Sequence, residues 1–223
     1  MKTTLKLVTA SALLFTFLFI TSCSNTPKGD EAKVADEQGV DSAGGQSLTV
    51  DTIHSKVSFI GYGVGKNHPG YFSLLSGTAR MADGKLTGGS FVININSLVL
   101  DQKEEMFQTK LLGHLLSPDF FEASKYPAAK FEVTSLESYM PNEKDTSVVA
   151  GANYKVSGNL TLKDITKNIT FPAKIETGEN SFSALANFTI DRTLWGIKYG
   201  NDKSLKDKFI SEVVTISLDI KSK

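Results

Sequence analysis

Ser181–Ile190 reads SFSALANFTI. Phe182, Ala184, Ala186, Phe188 and Ile190 fall on one side of an extended chain; Ser181, Ser183, Asn187 and Thr189 fall on the other. A period of two marks a strand with one apolar and one polar face, because successive side chains point to opposite sides. The pattern spreads outward from here. Ile169, Phe171, Ala173 and Ile175 oppose Thr170, Pro172, Lys174 and Glu176, and Val214, Ile216, Leu218 and Ile220 oppose Thr215, Ser217, Asp219 and Lys221. Upstream, Val156, Leu160 and Leu162 alternate with polar neighbours, as do Phe91, Ile93 and Ile95. Gly178-Glu179-Asn180 and Asp83-Gly84 are turn signals between such runs, and Pro141 to Gly151 reads as a longer loop. About eight strands of this kind predict an all-β chain, closed as one antiparallel barrel because closure removes exposed edges.

One stretch departs from the period of two. From about Lys103 to Ala123 the chain reads as a helical insert near one end of the barrel. Ser117-Pro118-Asp119 carries the signals of a helix start, Phe120-Phe121 forms an apolar plug, and Tyr126-Pro127 forces an extended exit. A helical plug between long strands predicts a lid. Alternation alone does not say which face points inward, since membrane-spanning barrels alternate with the apolar face outward. The mid-chain helix and the absence of aromatic girdles at strand ends favour an apolar interior.

The chain of 223 residues carries 24 basic and 24 acidic side chains, and its only arginines are Arg80 and Arg192, which argues against a nucleic-acid partner. Lys2 and Lys6 precede an apolar run, Leu13 to Ile20, too short to span a bilayer. It ends in Ile20-Thr21-Ser22-Cys23, which resembles a bacterial lipobox and places the only cysteine where acylation requires it. The expected organisation is a lipoprotein signal peptide at 1–22, a flexible polar tether at 23–47 and the barrel at 48–223. Cys23 is the expected lipid anchor, the membrane a partner through it, and the bacterial cell envelope the expected location.

Catalytic signatures are missing: there is no G-x-S-x-G, P-loop, glycine-rich dinucleotide turn or H-E-x-x-H. His54, His68 and His114 lack metal-ligand spacing, so neither a metal nor an organic cofactor is expected. His114 reads either as a polar contact at the barrel mouth or as a tie between lid and strand. Arg192 reads either as a fork onto nearby carbonyls or as a contact to a polar head group.

Several segments resemble the YceI-like family. Asp51, His54-Ser55, Val57 and Phe59 are similar to its D-x-x-H-S-x-V-x-F opening; Leu86–Ile93 with Ser97 resembles its next strand. His114–Phe131, HLLSPDFFEASKYPAAKF, is the most specific segment. Val156–Leu162 resembles the V-x-G-x-L-T strand, and Asp191-Arg192-Thr193 with Gly196-Ile197 the arginine–glycine corner. Asp164 departs from the family's usual glycine. The resemblance implies a lipocalin-like barrel whose lumen binds a long isoprenoid or similar lipid, without catalysis. The candidate lumen residues are then Phe59, Phe91, Ile93, Ile95, Phe120, Phe131, Val133, Leu160, Leu162, Phe171, Phe182, Phe188, Trp195, Ile216 and Leu218. The alternatives are an enzyme acting on a lumen-bound lipid and a structural barrel with a filled core. Whether the chain is monomeric or dimeric is open.

Overall fold

The computed structural model describes residues 27–40, 44–101 and 105–223. The expected signal segment and Cys23 lie outside the described residues. The strands are β1 (Asp30–Glu31), β2 (Lys33–Asp36), β3 (Gln46–Thr49), β4 (Lys56–Gly63), β5 (Lys66–Phe72), β6 (Leu74–Ala82) and β7 (Lys85–Asn94). They continue as β8 (Val99–Leu100), β9 (Ala128–Ser138), β10 (Tyr154–Leu162), β11 (Ile165–Thr177), β12 (Phe182–Asp191) and β13 (Val213–Lys221), with one α-helix, α1 (Glu105–Leu116). All belong to one curled sheet in the order β3-β6-β7-β9-β10-β11-β12-β13-β4-β5-β8, antiparallel along this path.

The two ends of that sheet are linked by the chain itself and by a few hydrogen bonds. β5 passes through the single residue Ser73 into β6, and Asn94 donates its N–H to the Ser73 carbonyl at 2.9 Å. On the far side, Val50 bridges Ser222, and Asp51 donates to the Lys221 carbonyl at 2.8 Å, tying the end of β3 to the end of β13. The result is the barrel-like wall expected from the alternation, with more strands than the eight expected.

The extra strands come partly from the stretch read as a free tether. Residues 30–36 lie on the barrel: β1 pairs in parallel with β12 and β2 pairs antiparallel with β11. Polar composition hid them, because only Ala32 and Val34 turn toward the core while their neighbours stay exposed. The helix also differs from expectation. α1 is complete at Leu116, and Ser117-Pro118-Asp119 sits at its exit rather than opening a helix. Ser117 folds back there, its N–H and Oγ both donating to the His114 carbonyl at 3.1 and 2.7 Å, and Pro118 cannot continue the helix.

The interior consists of two buried clusters. One centres on Val50, Phe59, Phe72, Leu74 and Ile93, the other on Ile169, Phe171, Phe188 and Trp195. Leu86, Leu162, Ala184, Ile216 and Leu218 touch both clusters, yet each keeps part of its surface uncovered. Apolar side chains between two walls that remain uncovered mark a space left open between those walls.

Candidate functional site

That space is a cavity of about 290 Å³ lined by the inward faces of β4–β7 and β9–β13. Every lumen candidate from the sequence except Trp195 lines it. Phe91, Phe131, Phe171 and Phe188 form a run of rings across the interior, with successive centroids 6.5, 5.9 and 4.0 Å apart. The run needs Gly158: a Cβ there would collide with the Phe131 ring. Toward the helix end, Phe59, Phe72 and Phe121 follow at 5.4 and 5.5 Å. Leu111 and Leu115, one turn apart on α1, join Phe120 and Phe121 as a lid over this end.

Trp195 is excluded from the lumen for a clear reason. It ends a short 3-10 turn, Arg192–Trp195, where the period of two no longer applies. Its ring is wholly buried in the wall, and its Nε1–H donates to the Leu160 carbonyl at 2.9 Å.

Arg192 touches the cavity but spends its donors on the backbone. Its guanidinium donates to the carbonyls of Ser211 (2.9 Å), Ile197 (2.6 Å), Tyr199 (2.9 Å) and Ile210 (3.0 Å). The fork holds the 197–211 loop over the barrel end, and burial pulls its pKa below the ordinary arginine value. His114 does not line the cavity. Its Nε2 lies 3.1 Å from Asp119 Oδ2, and its ring meets Phe120 and Tyr199 edge-on at 5.1 and 4.6 Å, so it joins the lid to the loop that Arg192 holds.

His68, which the sequence marks only as a histidine without metal-ligand spacing, lines the lid end of the cavity. Its ring stacks on Phe107 at 5.6 Å, and its Nδ1 is buried without a hydrogen-bond partner among the described residues. Burial, helped by the charge of Lys66, holds its pKa below the ordinary 6.5. The strand signal was hidden because glycines occupy inward positions on the facing strand, Gly61 and Gly63, and β5 begins Lys-Asn-His-Pro-Gly. Leu111 and Leu115 form an i, i+4 pair within the helical insert, a spacing visible in the sequence.

Among the described residues the lining contains no carboxylate, and its hydroxyls are engaged elsewhere: Tyr62 with Thr215 Oγ1 at 2.9 Å, and Ser211 Oγ accepting from Val213 N at 3.1 Å. Among the described residues no cluster of three histidine, cysteine or acidic side chains could hold a metal. The arrangement can take up hydrocarbon.

Comparison with known proteins follows the fold. A UPF0312 protein of Pseudomonas putida strain W619 is 32% identical over 110 residues, 48% of this chain and 52% of that protein. Protein YceI of Escherichia coli O6:H1 is 33% identical over 115 residues, again 48% and 52%. The chain thus spans about half the length of the curated relatives it matches. Among solved structures, Burkholderia cenocepacia BcnA superposes with a TM-score of 0.58 at 20% identity, covering 78% of this chain and 99% of that one. A polyisoprenoid binding domain from Saccharophagus degradans, implicated in plant cell wall breakdown, gives 0.56 at 14% identity, covering 79% and 97%. The model of the YceI-like domain matches residues 48–222, from β3 through the last strand. With most of its length inside that match, the chain belongs to the YceI-like family.

Proposed function

We propose that this protein binds the hydrocarbon part of a long-chain isoprenoid or similar amphiphilic lipid inside its barrel, as a carrier or buffer rather than as an enzyme. The observation that carries the reading is the almost wholly apolar cavity between the walls of the barrel, in which Leu162, Ala184, Ile216 and Leu218 keep part of their surface uncovered. The neighbour from Saccharophagus degradans, described as a polyisoprenoid binding domain, supports the same class of ligand.

Energetics suit transfer. Taking a prenyl tail from water gains about 0.8 kcal/mol per CH₂. The competing state is a bilayer as apolar as the lumen, so exchange between the two lies near balance, as a carrier requires. Acylation at Cys23 would hold the barrel at a membrane of the bacterial cell envelope, within reach of such lipids.

The test is titration of the delipidated protein with dansyl-farnesol. Saturable one-to-one binding, displaced by an unlabelled long-chain prenyl alcohol, is the expected result. Absence of saturable binding overturns the reading.

A further inference from the structure

On the lipid-binding reading above, we infer that residues 29–38 are a removable strand of the barrel wall, and that the slot they fill is the lateral portal for the lipid. The slot has a cause in the sequence. β11 and β12 pair from Thr177↔Phe182 to Ala173↔Ala186 and then part. The Ala173 carbonyl accepts from Asn153 N on the β10 side, so alternation points the next residue, Pro172, toward β12. Proline has no N–H to give there, and the ladder stops.

Beyond that point the two strands pair with the N-terminal segment instead. Phe188 and Thr189 of β12 face Asp30 and Glu31, while Lys167 to Thr170 of β11 face Asp36 to Lys33. Gly29 lets the segment approach: at φ +150° it lies so close that a Cβ would come within 2.9 Å of Phe188 backbone. This inserted strand lies outside the 48–222 family match, so the family domain is specified without it.

Beyond its ladders of four residues with β11 and two with β12, its side-chain ties lie mostly at its ends. Asp30 accepts from Ser147 Oγ (2.6 Å) and Val148 N (3.0 Å), Asp36 pairs with Lys167 at 2.9 Å, and Gln38 exchanges two hydrogen bonds with Asn159. In the middle, Ala32 donates to the Thr189 carbonyl at 3.1 Å, and the only apolar side chains turned to the core are the small Ala32 and the partly buried Val34. Behind it, Ile169, Phe171, Phe188 and Ile190 line the cavity from the two sides of the slot. The stacked rings of Phe171 and Phe188, 4.0 Å apart, span the slot on its lumen side. The lid end, by contrast, is locked by the four-carbonyl fork of Arg192.

A slot running along the strands suits a linear chain, which can leave sideways without threading past the lid. In sequence the segment follows Cys23, which precedes Lys28 by at most about 18 Å of extended chain. Acylation there would bring the portal to the bilayer that supplies the lipid.

The test is a staple across the slot in the full chain carrying Cys23→Ser. Asp36 and Lys167 are direct cross-strand partners, and Asp36→Cys with Lys167→Cys places two thiols within disulfide reach. Passage of dansyl-farnesol to and from phosphatidylcholine vesicles is followed by stopped-flow fluorescence. Oxidation is expected to slow both uptake and release at least about tenfold with Kd unchanged, and reduction to restore the rates. The reduced protein is its own folding control. Gly29→Val, which pushes the segment away from β12, is expected to speed exchange severalfold. Binding with rates indifferent to both changes overturns the portal and leaves the lipid reading intact. Absence of binding in the unstapled protein overturns both.

Discussion

Ala184→Phe separates an open lumen from a filled core. Ala184 sits at the middle of the cavity wall on β12, faces Ile175 and Ile220 across its neighbours, and keeps part of its surface uncovered. A phenylalanine buries at least about 150 Å², so the added ring covers about 100 Å² beyond the alanine methyl. At about 25 cal/mol per Å² this gains up to about 2.5 kcal/mol, less about 1 kcal/mol for fixing the side chain. The expected effect on stability therefore lies between about zero and 1.5 kcal/mol in favour of the folded state. The same change at Ala123, buried beneath the lid and outside the cavity lining, meets closed packing and costs about 1–3 kcal/mol. Urea unfolding of both variants, with m unchanged, gives the two values. Dansyl-farnesol binding should fall at least tenfold in Ala184→Phe, because the ring takes the lipid's place. If Ala184→Phe destabilises as much as Ala123→Phe and leaves binding untouched, the lumen is not the space described here.

Other variants probe the wall and the lid. Gly158→Ala drives a Cβ into the Phe131 ring and toward the Glu132 carbonyl, and should cost about 1–3 kcal/mol in urea unfolding while weakening uptake. Arg192→Lys cannot reproduce a fork onto four carbonyls; a loss of about 3 kcal/mol is expected, with faster hydrogen exchange in residues 197–211. His68 gives a pH signature. Because burial lowers its folded pKa, the unfolded chain binds more protons below 6.5, and stability falls as the pH drops through that value. The urea midpoint should thus decline from about pH 7.5 to about pH 5.5, and His68→Phe should remove the decline in that interval. Asp51 does not interfere. His54 hydrogen bonding pulls its pKa to about 2, so its stabilising share is lost only at more acid pH, between its ordinary 3.8 and about 2.

Much of this architecture is legible in the residues because strand geometry leaves little choice. Once Phe182 to Ile190 are extended, Phe182, Ala184, Ala186, Phe188 and Ile190 must share a face, and in the structure all five line the cavity. The reading fails where that geometry ends. Trp195 follows a strand by four residues, and a 3-10 turn rotates it into the wall, where the Leu160 carbonyl satisfies it. Ser117-Pro118-Asp119 carries the residue types of a helix start, but the helix that precedes it decides their role. Residues 30–36 look like a solvated tether because their partners are the free edges that Pro172 leaves on β11 and β12, an arrangement that only the folded sheet creates. The place of His68 in the cavity lining is not legible in the sequence, because glycines opposite it interrupt the apolar alternation.

The central claim, an apolar lumen that holds a long-chain lipid, is tested most directly by native mass spectrometry of the full chain carrying Cys23→Ser, followed by organic extraction. The account predicts one long-chain isoprenoid or similar lipid per protein, lost on extraction and regained when prenyl quinones or prenyl alcohols are offered. A bare protein mass that stays bare in the presence of those lipids would contradict it.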